Sequence, residues 1–150
     1  MPEIAFSLVS ISAMTAWLGL AVATPLRAGR ARENILFICG RAVPVLLCVA
    51  YVVFLAQYWG TTSNGGFQSL VAVQALFAAP GKMLGAWTHF LAFDLLVGRW
   101  LVDDASSKGN SRLLLVVALP ATFLFGPLGV LLYLAGRLLL SAKSADCSEA

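Results

Sequence analysis

The sequence predicts an all-α integral membrane protein, organised as a four-helix transmembrane bundle with one short re-entrant or interfacial helix. Three observations carry this reading. Of the 150 residues, 60% are hydrophobic and 11% charged, whereas soluble domains carry about a quarter charged residues. Mean hydropathy is +0.88. The apolar residues fall in long blocks between short polar turns, and a helix needs roughly 20 of them to span a hydrocarbon core ~30 Å thick. The chain therefore reads as a single transmembrane domain over residues 1–150, with room for roughly four or five crossings.

The first crossing is expected at residues 4–24, closing at Pro25 before a basic turn of Arg27, Arg30, Arg32 and Glu33. Ala21-Val22-Ala23 has the small-residue pattern of a signal-peptide cleavage site. Glu3 stands where such a leader would be positive, so the stretch reads as a retained helix. The second crossing is expected at 35–59, with Arg41 and Pro44 inside it and Gln57, Tyr58 and Trp59 at its end, where aromatics suit the headgroup layer. After a polar turn from Gly60 to Gly66, the apolar segment 68–79 is too short to cross and reads as re-entrant or interfacial. The third crossing is expected at 83–102, the loop from Asp103 to Arg112 is polar, and the fourth is expected at 113–140 with Pro120, Gly126 and Pro127 inside it. The tail, 141–150, is short and polar.

Charge gives an orientation. Arg27, Arg30, Arg32, Arg41, Arg99, Lys108 and Arg112 fall on one side of a four-crossing layout, against Lys82, Arg137 and Lys143 on the other. The richer side is expected to be cytoplasmic, which puts both termini on the opposite face. The net charge of +3 follows from this asymmetry, and no basic run is long enough to make a nucleic-acid face. Cys39 and Cys48 lie about 13 Å apart along one helix at 1.5 Å per residue, and Cys147 is in the tail, so they read as packing residues without disulfide or metal spacing.

The third crossing carries the candidate site. It holds His89, Asp94 and Arg99 in an otherwise apolar stretch, and an aspartate or arginine at the centre of such a helix costs about 2.5–3.5 kcal/mol, so residues of this kind persist mainly where they face a partner, a cavity or a substrate. Spacings of five residues turn successive members about 140° apart, so they do not share one face. His89 shares its stripe with Lys82, Phe93, Leu96 and Trp100, and Asp94 with Trp87, Phe90, Leu91, Gly98 and Leu101. By depth, Arg41 at about 9 Å, Asp94 at about 12 Å and the backbone freed by Pro120 at about 10 Å could converge with Arg99.

Two readings of that cluster stand side by side. In one, Asp94 and the arginines form a buried pair that fixes helix register, with Arg99 also paired to Asp103 at i,i+4. In the other, Asp94 and His89 are an acid and a base facing a lipid-filled cleft. A lone histidine without further ligands at metal spacing does not call for a metal. Signatures of nucleotide binding, serine hydrolysis, zinc proteolysis and dithiol redox chemistry are lacking from the sequence. No cofactor is implied.

The run from Ala86 to Arg99, reading Ala-Trp-x-His-x-Leu-x-x-Asp-Leu followed by an arginine, is preceded by Pro80. It is followed by Asp103, Asp104, Arg112 and the step Gly126-Pro127-Leu128-Gly129. This pattern resembles the abscisic acid-deficient-4-like family, whose plant members are chloroplast membrane proteins required to make neoxanthin from violaxanthin. The resemblance implies a small multi-span protein with a carotenoid or other long apolar lipid as ligand. Its chemistry would be an acid-base isomerisation, in which an epoxide oxygen gains a proton while a carbon-bound proton is removed. Asp94 is then the candidate acid, His89 the candidate base, and Arg41 or Arg99 would stabilise alkoxide charge. Trp87, Phe90, Phe93 and Trp100, with Phe123 and Phe125, would supply apolar walls. The competing class is non-catalytic: an assembly partner for a separate membrane enzyme, or a small transporter with Asp94 as a proton-coupled site. With no transit-peptide pattern at the start, a bacterial inner membrane is the expected location, or a plastid membrane in a eukaryote.

Overall fold

The computed structural model describes residues 2–61, 65–107 and 112–146, with side chains to residue 140 in the last stretch. The middle of the expected polar turn (62–64), the loop 108–111 with Lys108, and the end of the tail with Cys147 lie outside these residues. Every element among the described residues is helical: α1 (Pro2–Ala23), α2 (Arg30–Phe37), α3 (Val43–Tyr58), α4 (Leu70–Phe77), α5 (Pro80–Ser107), α6 (Arg112–Phe125) and α7 (Pro127–Asp146).

Two stretches are long and apolar enough to span a bilayer alone: α1, and the 29 residues Arg30–Tyr58 that join α2 to α3. The join is a π-helical turn, Ile38–Ala42, with Val43 between it and Pro44. Proline has no N–H for the carbonyl four residues earlier and clashes with it in a regular helix, and a widened turn relieves both problems without breaking the span. A third span arises if α4 and α5 are taken together, since Leu70–Ala78 and Pro80–Ser107 form a pair bent by 100°. Pro80 starts α5 at the position where its missing N–H costs nothing. Ser69 caps α4, its Oγ accepting from the Ala72 N–H at 3.2 Å. Segment 68–79 thus forms a short helix set across α5 and does not cross by itself.

The expected fourth crossing at 113–140 is not one helix. It divides at Gly126, the one described residue with φ in the left-handed region (+52°). The Gly126 N–H closes α6 on the Thr122 carbonyl at 2.7 Å, and Pro127 opens α7. The two helices fold back as an antiparallel hairpin, with Gly129 against Thr122 and Gly136 against Leu114. Fourteen residues of α6 extend only about 21 Å, short of a ~30 Å core. Among the described residues, two helices are long and apolar enough to cross, or three spans if the bent pair counts as one, and a hairpin of two helices stands in place of the expected single crossing at 113–140.

The reversal also corrects the orientation. Arg137 sits beside Asp104 at the end of α5, so α7 returns to the basic end and does not reach the Lys82 end. The described ends of the chain thus lie at opposite ends of the bundle.

Helix α5 is the hub, packing against α1, α3, α4, α6 and α7. Small residues at its contacts let the helices approach closely: Ala13 and Ala16 on α1, Ala92 and Gly98 on α5, and Ala118 on α6 are buried. Gly98 accommodates the Trp17 ring, since a Cβ there would lie 2.7 Å from its Cη2. Cys39 and Cys48 are free and pack against this core. The buried hydroxyls of Thr24, Thr88 and Thr122 each donate to the carbonyl four residues earlier, at 2.8–2.9 Å. Large apolar side chains such as Ile4, Leu8, Leu18, Leu46, Val52 and Leu124 point outward, each at least 60% exposed, which suits lipid and not water.

Candidate functional site

The ionisable residues of α5 face three different neighbours. His89 points toward α3, its ring centroid 4.5 Å from that of Phe93 and 5.4 Å from that of Tyr51. Asp94, half-buried, faces the tip of the α6–α7 hairpin: a Cβ on Gly126 would lie 3.4 Å from its Oδ1. Arg99 turns toward the basic end, where its Nε donates to Asp103 Oδ2 at 2.7 Å. The 140° steps read from the sequence are realised as three separate environments.

The convergence expected of Arg41, Asp94, Arg99 and the Pro120 backbone does not form. Arg41 is exposed in the π-helical turn and shares a cavity with Arg99 and Asp103, while Pro120 faces outward on α6. No ion pair joins Arg41 or Arg99 to Asp94 among the described residues. Similar depth does not bring these groups together, because Arg41 and Pro120 face outward and Asp94 faces the hairpin tip. Of the register pairs considered from sequence, only Arg99–Asp103 is present.

The aromatic walls divide as well. Phe90 lines a cavity with His89. Trp87 turns to α1, donating from Nε1 to Ser10 Oγ at 3.0 Å and lying beside Phe6. Trp100 packs on Tyr133 and Phe123 on Trp17, whereas Phe125 is exposed. Phe93 covers the His89 ring but does not line the cavity.

That cavity lies between α3, α4 and α5 and has a volume of about 210 Å³. Tyr51, Phe54 and Tyr58 from α3, Leu76 and Phe77 from α4, and Phe67 before it form a mainly aromatic wall. On α5 the lining is Gly81, Lys82, Gly85, Ala86, His89 and Phe90, so small residues open the space and the polar side chains enter it. Gly81 is required by close approach, because any Cβ there would strike the Tyr58 ring. Lys82 lies seven residues before His89, nearly two helical turns, which places both on one stripe.

Tyr51, Tyr58 and Lys82 were not expected as site residues. The stripe shared by Lys82 and His89 is visible in the sequence, but the tyrosines come from another helix whose register no local pattern fixes. Chemically, the cavity offers an imidazole, an ammonium and phenol groups against apolar walls. It can hold an apolar end group and move protons at a polar atom on it.

A family model described as ABA DEFICIENT 4-like matches residues 4–133. No curated protein and no solved structure gives a significant match.

Proposed function

Since this chain belongs to the ABA DEFICIENT 4-like family, we propose that it binds one end of a carotenoid or similar long apolar lipid in the His89 cavity and modifies it by acid-base isomerisation. The observation that carries the reading is the placement of His89 in a mainly aromatic cavity between spanning helices. At about 210 Å³ the space is below the roughly 300–1,000 Å³ that engulfs a drug-sized ligand. It suits a terminal ring, with the rest of the molecule lying along the apolar outer surface.

The chemistry needs two proton movements. His89 takes a carbon-bound proton, the electron pair of that C–H bond becomes a new double bond, and the neighbouring C–O bond of an epoxide opens. The oxygen then gains a proton, so the formula is unchanged and no electrons enter or leave. The candidate donor of that proton is the Tyr51 hydroxyl, whose ring lies 5.4 Å from that of His89, with the Lys82 ammonium, in the same cavity but about 10.5 Å along the helix, as a further one. Asp94 faces the hairpin on another side of α5, which argues for a positioning role in this reading. Arg99 is ten residues from His89, about 15 Å along the helix, and too far to touch the same oxygen.

The test is turnover of an epoxy-carotenoid by the purified protein in nanodiscs, read as a product of unchanged mass and altered retention time. His89→Ala should lower the rate by about 10²- to 10⁴-fold without loss of helicity. Binding without conversion by the wild type, cured by adding a second membrane polypeptide, would replace this reading with an assembly-partner role.

The hairpin tip at Asp94 favours a second reading. A carboxyl facing a broken helix part-way across the bundle is the arrangement of a proton-coupled transporter. Proton uptake into proteoliposomes that is lost in Asp94→Asn and kept in His89→Ala would select it.

A further inference from the structure

At the basic end of the bundle, far from the His89 cavity, lies a second cavity of about 390 Å³ lined by Arg32, Arg41, Arg99, Glu33, Asp103 and Phe37, among others. Its arginines come from three separate elements: Arg32 from α2, Arg41 from the π-helical turn and Arg99 from α5. Three guanidinium groups against two carboxylates leave the lining with a surplus positive charge. We propose that this cavity binds the phosphate group of an anionic membrane lipid.

The donors are available for it. Arg32 uses Nε on the Ala23 carbonyl (3.2 Å) and Nη2 on Ser106 Oγ (2.9 Å), bonds that fix its position and leave Nη1 uncommitted. Arg99 uses Nε on Asp103, which leaves its terminal nitrogens. Arg41 makes no hydrogen bond or ion pair among the described residues, so its whole planar fork is open to an oxyanion, the geometry at which arginine excels.

The backbone is shaped to bring these groups together. A Cβ at Gly40 would lie 2.5 Å from Arg99 Cδ and 2.9 Å from its Cγ, so the bare glycine lets the Arg99 stem cross the π-helical turn. Gly40 and Arg41 both belong to that turn, and π-turns inside helices frequently mark functional sites.

The surroundings select a lipid. The cavity lies at the end of the bundle that also carries Arg30 and Arg137, the end expected to face the cytoplasmic leaflet, where anionic headgroups concentrate. Phe37 lines the cavity and is 58% exposed, and Ile38 beside it is 54% exposed. These give an apolar shoulder down which acyl chains can run. A zwitterionic headgroup would bring an ammonium into a site with excess positive charge, so the anionic class is preferred.

The experiment uses the full chain in phosphatidylcholine nanodiscs doped with phosphatidylglycerol, with native mass spectrometry to read retained lipid. Phosphatidylglycerol should be retained over phosphatidylcholine. Arg41→Gln should weaken that retention about tenfold, Arg41→Lys should recover part of it, and both should keep wild-type helicity and elution volume. Equal retention of the two lipids, or an unchanged preference in folded Arg41→Gln, overturns the proposal. Displacement of the lipid by millimolar inorganic phosphate would also overturn it, by assigning the site to a soluble ion. Turnover at the His89 cavity is read separately, so failure of one proposal does not carry the other with it.

Discussion

Arg137 donates through Nη1 to Asp104 Oδ2 at 3.0 Å, tying the later part of α7 to the end of α5. The same carboxylate oxygen accepts from the Tyr133 hydroxyl at 2.7 Å. A single crossing over 113–140 would have carried Arg137 to the far end of the bundle, so this contact is the side-chain signature of the hairpin.

The first prediction follows for topology. In a background with the native cysteines replaced by alanine, a cysteine at Glu33 and a reporter fused after Ala150 should be accessible from the same side of the membrane. A cysteine at Glu3 should label from the other. Labelling of Glu3 and the C-terminal reporter on one side would restore the four-crossing arrangement.

The Asp104 contacts should stabilise the docked hairpin. Arg137→Ala removes one charged donor from a carboxylate whose side chain is only 11% exposed, at an expected cost of about 1–3 kcal/mol. Asp104→Asn in the same chain should recover part of the loss. A double-mutant cycle on thermal stability checks this, and additive effects would remove the pair from the account of stability.

Gly126 is held by its backbone. With φ at +52°, Gly126→Ala should cost about 1–2 kcal/mol, and Gly126→Asn less, because asparagine enters the left-handed region more readily. The added Cβ would meet Asp94 Oδ1 only at 3.4 Å, an ordinary contact. If alanine is tolerated as well as glycine, the turn is not set by this residue.

On the proposed reading of the His89 cavity, carotenoid binding should be sensitive at Gly81 and insensitive at Asp94. Gly81→Ala forces the Tyr58 ring to move, and overpacking of this kind costs about 1–3 kcal/mol, so carotenoid retention should fall about tenfold. Asp94→Asn, outside the cavity lining, should leave retention within about twofold, since a residue without contact to the ligand changes little of its binding energy. Absorbance of co-purified pigment measures both, and the reverse order would move the ligand to the hairpin side of α5.

Although 30–33 and 103–107, expected in turns, are helical, the sequence by itself determined the class, the approximate positions of the helices up to residue 102 and the family. These depend on quantities that are local in the chain: length of apolar runs, proline and glycine punctuation, and the spacing of polar residues. The expected helix at 4–24 is α1 at Pro2–Ala23, and 35–59 lies within Arg30–Tyr58. The third, at 83–102, is α5 lengthened to Pro80–Ser107. A lengthened end is natural where charged side chains reach the interface. At 113–140 the pattern misled. The Gly126-Pro127 step is a turn signal, but the run on either side is uniformly apolar, and a helix and a helical hairpin of that composition look alike to a hydropathy window.

Only the tertiary structure decided where α5's polar residues point. Local spacing gave the 140° rotation between His89, Asp94 and Arg99, but a rotation about one helix axis names no neighbour. The neighbours were set by packing: α3 and α4 close over His89, the hairpin tip reaches Asp94, and the π-helical turn with Gly40 meets Arg99. Neighbours such as Tyr51 and Arg41 come from another stretch of helix, Arg30–Tyr58, whose register against α5 depends on side-chain fit across the bundle. That fit is a property of the folded chain as a whole, which is why the family and the helices before the hairpin were legible in the residues and the composition of each cavity was not.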